Sequence, residues 1–354
     1  MLSLSAKYSV FGLMILLLAG CGAANSTPSL ANTANTYVGP FSLRGIATED
    51  SAAAARPSAR SWMDPDAKNI RKLLYVSDES TNQIYVYDYN TQRFVGAFGQ
   101  FRLPAGQCVD GHGDIWVTEF DDTYVFEYAH GGDYPIKILR AGAAYSFGCS
   151  INPKNGDLAV ANDGGSVSEP AQILIFKNAF GRPTAFKNVD CPAVSSPGYD
   201  DKGNLFVESG IPQAKSVCEL PYDGTELAVE PINQVINSPG SVMWDGKYIT
   251  LTDEEYEGSH ITAIYQMREI KGALSLAGTV QLNVGSNSKE YISQPFIVGN
   301  INTPRNRTQG EAVVGSDLCC QSKVDFWAYP AGGAAFSLPT APEEPMGQSV
   351  SIAP

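Results

Sequence analysis

The chain has 354 residues, of which 44% are hydrophobic and 17% are charged. Its formal net charge of −13 at pH 7 repels phosphate backbones, which makes nucleic acid a poor partner. It has three His, at positions 112, 130 and 260, and their wide spacing argues against a His-based metal or nucleophile site. The 34 Gly, 22 Pro and 17 Tyr favour many short strands joined by tight turns over long helices.

The first 21 residues have the pattern of an export signal. Lys7 precedes an apolar run from Val10 to Leu18, which is shorter than the roughly 20 residues that a membrane-spanning helix needs. The run continues into "LAGC", ending at Cys21, which resembles the bacterial lipobox. This resemblance implies that Cys21 carries the lipid and, with Gly22 in place of Asp after it, that the protein is sorted to the outer membrane of a Gram-negative cell. An ordinary secretory signal with a chance Cys is the alternative.

The segment from residue 22 to 61 is predicted to be a flexible tether, because it is rich in Ala, Ser, Asn and Thr and has little to bury. Its stretch "TYVGPFSLRG" could pair as an extra strand. Loss of the signal segment removes one Lys and no acid. The mature chain then has 23 basic and 37 acidic residues, a charge of −14.

The remainder, residues 62–354, contains a repeat. Six stretches that follow a turn signal share an alternating apolar pattern and end in an acid or amide; we call them anchor strands. Aligned on one residue of each, they are spaced by 41, 43, 47, 43 and 64 residues, with Leu74, Ile115, Leu158, Leu205, Tyr248 and Ala312 as the aligned positions. A period in the forties built of strands is typical of a β-propeller blade of four strands.

Most anchor strands are preceded by an inner strand that starts near a Gly, as in "LPAGQCVD" and "SPGSVMW". The first anchor strand lacks one, and "PMGQSVSI" at the end of the chain has the missing pattern. Because an open ring leaves strand edges exposed, we expect this C-terminal strand to complete the first blade. The sequence therefore predicts an all-β, six-bladed β-propeller with four-stranded blades, closed by the C-terminal strand.

The stretches "PAGQCVDGHGDIWVTEF…YVFEY" and "SPGYDDKGNLFV" resemble the NHL-repeat propellers and the related six-bladed sugar lactonases of the gluconolactonase type. In those lactonases, Asn or Asp beside the inner-strand Gly helps to hold a divalent cation. The residues at the matching positions here are Ala105, Phe147, Pro197, Pro239 and Met346. Their side chains cannot ligate a hard cation, which argues against a lactonase.

One polar pattern remains, because the anchor strands end in acids that would share one face of a propeller. These candidate binding residues are Asp78, Glu119, Asp163, Glu208, Asp253 and Asp317. They could form an anionic rim for a cation such as Ca²⁺, or for a basic protein or peptide. Alternatively they cap turns by bonding to nearby amides, since one acid per blade is what a repeated turn gives. Extra acids lie just beyond these strand ends: Asp121, Asp122, Glu254 and Glu255.

Six cysteines follow Cys21, and export to an oxidising compartment predicts disulfides, although free buried thiols are the alternative. Strand positions favour the pairs Cys108 with Cys149 and Cys191 with Cys218, and allow a vicinal bridge between Cys319 and Cys320.

The functional hypothesis is a monomeric, lipid-anchored envelope protein that binds or scaffolds. The alternative is a metal-dependent hydrolase or lactonase with an altered site, which requires carboxylates and amides to converge at the channel mouth.

A Cys21→Ser variant tests the lipid anchor. We expect it to leave the membrane fraction or to accumulate as unprocessed precursor, because the thiol that takes the lipid is gone. The measurement is incorporation of radiolabelled palmitate in a bacterial host. The variant is the control and should incorporate no label. A wild-type chain that takes up no label would contradict the assignment.

Overall fold

Twenty-five β-strands and two short 3₁₀ turns, Ala67–Asn69 and Lys177–Ala179, form the regular structure of the described residues. The computed structural model describes residues 61–99, 101–142, 145–162, 171–192, 194–209, 213–254, 261–270, 273–284, 292–299, 311–317 and 322–354. All of them belong to one compact unit, residues 39–354. Within these ranges no helix is long and apolar enough to cross a membrane. The predictions for Cys21, the tether, Asp163, Cys319 and Cys320 lie outside the described residues, Ser61 excepted.

The strands pair into antiparallel groups, which we call blades 1 to 6 in chain order. The strands of the first three blades are β1 (Trp62–Met63), β2 (Lys72–Asp78), β3 (Gln83–Asp88) and β4 (Phe94–Phe98) in blade 1, β5 (Pro104–Val109), β6 (Ile115–Glu119), β7 (Tyr124–Tyr128) and β8 (Pro135–Arg140) in blade 2, and β9 (Ser146–Ile151), β10 (Leu158–Asn162), β11 (Gln172–Phe176) and β12 (Thr184–Phe186) in blade 3.

The second half continues the pattern. Its strands are β13 (Gly198–Tyr199), β14 (Leu205–Glu208), β15 (Ala214–Leu220) and β16 (Ala228–Ile236) in blade 4, β17 (Pro239–Trp244), β18 (Ile249–Asp253), β19 (Ile261–Ile270) and β20 (Ala273–Asn283) in blade 5, and β21 (Ile292–Val298), β22 (Ala312–Asp317), β23 (Lys323–Ala328) and β24 (Gly332–Ser337) in blade 6, with β25 (Pro345–Ile352) last. Short parallel pairings also join the outer strand β20 of blade 5 to β16 of blade 4 and to β24 of blade 6.

The C-terminal strand completes blade 1, as the sequence predicts. β25 pairs antiparallel with β2 from Lys72↔Ile352 to Asp78↔Pro345. The inner strands then contact one another in the cyclic order β25, β5, β9, β13, β17, β21 and back to β25. Blade 1 differs from the predicted four strands, because β1 adds a fifth strand outside β4. The all-β propeller architecture is therefore correct, with one additional edge strand that the repeat does not contain.

Close approach of the inner strands explains the repeated Gly near their starts. A Cβ atom added at Gly347 would overlap the carbonyl oxygen of Ala105 on the next inner strand. One added at Gly198 would overlap the carbonyl oxygen of Val242 in the same way. Only a residue without a side chain lets neighbouring backbones come this near.

The hydrophobic core consists of six clusters, and each lies between two neighbouring blades. The cluster between blades 1 and 2 includes Leu73, Tyr75, Ile115 and Val117, all fully buried. Equivalent clusters lie between the other neighbours, including one between blades 6 and 1 that contains Val350 of β25. Since every blade buries apolar surface on both sides, the loss of one blade would leave two clusters incomplete.

Two disulfides reinforce this arrangement, and both are the predicted pairs. Cys108–Cys149 joins the inner strands of blades 2 and 3, with the Cα atoms 5.5 Å apart. Cys191–Cys218 lies within the cluster between blades 3 and 4, with the Cα atoms 6.5 Å apart. Both separations fall within the usual range for a disulfide.

Deletion of residues 346–354 tests the closing strand. We expect aggregation or loss of cooperative melting, because the deletion exposes the β2 edge and opens the cluster between blades 6 and 1. Differential scanning calorimetry of the full and shortened chains is the measurement. Adding the synthetic peptide PMGQSVSIAP should restore part of the transition. A shortened chain that melts like the full one would rule out the closing role.

Candidate functional site

The anchor strands end on the face of the propeller where the inner strands begin, which we call the acid face. The five predicted acids that are described each form the last residue of their strand: Asp78 of β2, Glu119 of β6, Glu208 of β14, Asp253 of β18 and Asp317 of β22. All five are between 0% and 3% exposed. The five acids thus lie at strand ends inside the protein and do not form an open rim.

Three of these acids cap the entry to the inner strand of their own blade. Asp78 accepts a hydrogen bond from the backbone amide of Glu344 at 2.6 Å. Glu119 accepts one from Arg102 at 2.6 Å, and Asp253 accepts one from Ser238 at 2.9 Å. Each donor lies one or two residues before an inner strand. For these three residues, turn chemistry accounts for the carboxylate.

Glu208 departs from this pattern. Its Oε2 accepts a hydrogen bond from the amide of Gly240 at 2.7 Å, and Gly240 belongs to the inner strand of the next blade. Its Oε1 is buried and has no hydrogen-bond partner among the described residues. Such an unpaired polar atom is costly in a protein interior. A ligand at this oxygen would remove that cost.

Glu254 lies on the other side of the same glycine. Its Oε1 accepts a hydrogen bond from the amide of Gln294 at 3.2 Å, and a Cβ atom added at Gly240 would lie 2.6 Å from this oxygen. Glu254 is partly exposed, whereas Glu208 is fully buried. Glu208 and Glu254 therefore flank the start of one inner strand, and we call them the acid pair.

The surroundings of the acid pair favour its protonated form. Burial raises the pKa of Glu208 well above its ordinary value, by more than the backbone amides of Gly240 and Thr252 lower it, and the charges of Glu254 and Asp253 raise it further. The Thr252 amide does not reach Oε1 with hydrogen-bonding geometry. The dense protein around the Glu254 carboxyl raises its pKa to about 8. Burial also raises the pKa of Glu119 to about 7, although the Arg102 amide opposes the shift. A cation bound at the acid pair would replace the protons on Glu208 and Glu254. Its binding would therefore depend on pH.

Other unpaired polar atoms lie on residues next to the acid pair. Ser195 and Ser209 have buried hydroxyls without a hydrogen-bond partner among the described residues, and so does the amide nitrogen of Gln294. The amide of Ser195 donates to the carbonyl of Glu208, and the hydroxyl of Ser196 donates to Oε1 of Gln294 at 3.0 Å. The carboxyls of Glu208 and Glu254 thus lie on either side of Gly240, whereas the side chain of Gln294 bonds to Ser196.

Sequence reasoning did not identify Gln294. Its inner strand reads "SQPFIV" where other blades have a Gly, and this departure from the repeat was the available signal. Gln294 also has a φ of 44°, a left-handed conformation that is uncommon for residues other than Gly. Strained backbone of this kind is frequently found at functional sites.

A second carboxylate cluster lies in the opposite, hairpin-turn end of blade 2. Oxygens of Asp110, Asp114 and Glu127 lie within 4.8 Å of one another. Asp110 caps the turn by accepting from the amides of His112 and Asp114, at 2.8 and 3.0 Å. Lys137 forms a 2.9 Å salt bridge with Glu127. Turn capping and this ion pair account for the cluster.

The two described His residues do not join the acid pair. His112 lies in the hairpin turn of blade 2. His130 is buried, with Nδ1 2.6 Å from the hydroxyl of Ser351 and Nε2 2.7 Å from the carbonyl of Ile70. His130 therefore links blade 2 to the closing strand and to the start of the propeller.

Comparisons with known proteins support the fold alone. No protein family and no curated protein matches the chain. A solved nidogen/laminin complex is similar, with a TM-score of 0.58 and 13% identity over 80% of this chain and 99% of that one. A protein of unknown function from Bacteroides caccae gives a TM-score of 0.53 and 13% identity, over 79% and 99% of the two chains. A streptogramin B lyase structure gives 0.46 and 12%, over 78% and 76%.

The acid pair predicts how stability depends on pH. Because the folded pKa of Glu254, about 8, exceeds its ordinary 4.5, its stabilising contribution is complete below the ordinary value and is lost as pH rises toward 8. We expect Glu254→Gln to reduce the fall in melting temperature between about pH 5 and about pH 8, by roughly 2–4 °C for each kcal/mol of desolvation relieved.

Glu226→Gln is the matched control, since it removes an exposed carboxylate from the turn between β15 and β16. Its melting temperature should fall with pH as the wild type does. Parallel curves for Glu254→Gln and the wild type would show that Glu254 has no raised pKa.

Proposed function

We propose that this β-propeller is an exported, lipid-anchored binding module of the cell envelope that holds a cationic group at the acid pair. The observation that carries the proposal is the buried Oε1 of Glu208, which has no hydrogen-bond partner among the described residues. Where a turn explains the acid, as at Glu119, the carboxylate is capped by its own blade. At Glu208 the unused oxygen is available to a ligand.

Charge supports a cationic ligand. The chain without its signal segment has a charge of −14, and two carboxyls lie beside Gly240 at the channel mouth. A metal cation or the basic side chain of a protein or peptide would offset this charge. Either one would convert the acid pair to its ionised form and release protons, so that binding strengthens as pH rises from about 5 to about 8.

Export and lipid anchoring are supported by the sequence and by the disulfides. Cys108–Cys149 and Cys191–Cys218 are the kind of bond that persists in an oxidising compartment. The lipobox-like segment ending at Cys21 would then place the propeller at the membrane surface through a tether. The protein would act as a monomer. Its acid face would contact other components of the envelope.

A metal-dependent hydrolase is the second candidate. The two carboxyls of Glu208 and Glu254 beside Gly240 are part of the arrangement that this alternative requires. The acid pair supplies only two carboxyls, however, and hydroxyls or the amide would have to complete a set of oxygen ligands. Lactone hydrolysis that a chelator abolishes would favour the hydrolase.

Melting curves with and without Ca²⁺, at matched ionic strength, and with a Lys-rich peptide test the binding function. We expect one of the two to raise the melting temperature, because a ligand at a hundredfold excess over its Kd stabilises the fold by about 2.7 kcal/mol. Glu208→Gln should abolish the effect. Glu119→Gln is the control, since it alters the equivalent strand end with a capped carboxylate. The proposal fails if neither ligand acts, or if Glu208→Gln responds like the wild type.

A further inference from the structure

The central channel contains a cavity of about 90 Å³ that is separate from the acid pair. Five inner-strand side chains near the acid face line one end of it: Gln107, Ser196, Ser241, Gln294 and Gln348. We call these five residues the polar floor. From there the cavity extends along the inner strands toward the hairpin turns. Neither Glu208 nor Glu254 lines it.

The walls of the cavity are uncharged and combine polar with apolar groups in similar measure. Among the described residues that line it there is no Asp, Glu, Lys, Arg or His. Five partly exposed apolar side chains surround it, from blades 2, 3, 5 and 6: Val109, Ile151, Met243, Trp244 and Phe296. The Cys108–Cys149 disulfide forms part of the wall and fixes two of the inner strands relative to each other. A rigid cavity with apolar walls and a few polar groups is the usual form of a small-molecule site.

Two of the three amides in the polar floor are already engaged. Gln107 donates to the hydroxyl of Ser77 at 2.8 Å and accepts from Ser349 at 2.9 Å. Gln348 accepts from the hydroxyl of Ser316 at 2.6 Å and donates to the carbonyl of Gln294. These bonds hold the closing strand to both of its neighbours, and they leave these two amides committed to the fold.

Gln294 is different, because only half of its amide is used. Its Oε1 accepts from Ser196, while its nitrogen is buried and has no hydrogen-bond partner among the described residues. An unsatisfied buried donor costs free energy that an acceptor atom would recover. The polar floor therefore has one spare donor, on the residue that separates the cavity from the acid pair.

We propose that this channel cavity binds a small neutral molecule with an apolar body and one acceptor oxygen, which accepts from Gln294. The uncharged lining excludes ions, because burying a charge without a partner is strongly unfavourable. The cavity is open on one side and offers about 90 Å³, so the oxygen-bearing head enters and the apolar body contacts Trp244 and Phe296. This site contains neither carboxyl of the acid pair, although Gln294 borders both sites.

Isothermal titration calorimetry with benzyl alcohol, benzoate and benzylammonium tests the proposal. The three probes share a ring and differ in charge. We expect saturable binding of benzyl alcohol and at least tenfold weaker binding of both ions. The absence of saturable binding up to the solubility limit would overturn the proposal, as would equal binding of all three probes.

Two variants locate the site. Ile151→Trp should fill the cavity and abolish benzyl alcohol binding, whereas Ile136→Trp, on the exposed outer strand of blade 2, should leave binding unchanged. Gln294→Met should weaken benzyl alcohol binding but not the binding of toluene, which has no acceptor. Binding retained by Ile151→Trp, or equal losses for both probes in Gln294→Met, would contradict the assignment. Ile151→Trp should keep the wild-type response to Ca²⁺ or basic peptide, which separates this result from the acid-pair test.

Discussion

The pairing of β25 with β2 is the contact on which the rest of the structure depends. It links the two ends of the described chain and completes the order of inner strands around the channel. Each hydrophobic cluster lies between two blades, so no blade has a core of its own. Closure therefore stabilises all six clusters together, and it brings the inner strands close enough that Gly is needed at Gly198 and Gly347. The same close packing buries the strand-end acids.

Burial of those acids produces two outcomes. At Asp78, Glu119 and Asp253, backbone amides of the same blade satisfy the carboxylate, so the acid works as a cap. At Glu208 the bond reaches the next blade, and one oxygen has no partner within the part of the chain that the structure describes. Glu254 adds a second carboxyl whose pKa burial raises to about 8. The acids of the acid face are thus similar in sequence position but differ in the free-energy cost of their burial. A ligand is stabilised most where that cost is highest, at the acid pair.

The sequence was sufficient for the features that depend on position along the chain. The spacing of anchor strands, the closing strand at Pro345–Ile352 and both disulfides follow from strand order and turn residues. It did not predict β1, because a two-residue edge strand such as Trp62–Met63 leaves no periodic pattern. Nor did it distinguish Glu208 from Glu119. That difference depends on which neighbouring blade the side chain reaches, and chain position does not determine this.

The central claim is that the protein raises the pKa of both Glu254 and Glu208 and that a bound cation displaces the protons these carboxyls hold. An NMR titration of the protein labelled with ¹³C at the Glu carboxyls tests it directly, with Glu254→Gln to assign the resonance. The account predicts a titration midpoint for Glu254 of about 8, compared with its ordinary value of 4.5. A bound cation should lower this midpoint. A midpoint near the ordinary value in the cation-free protein would contradict the account.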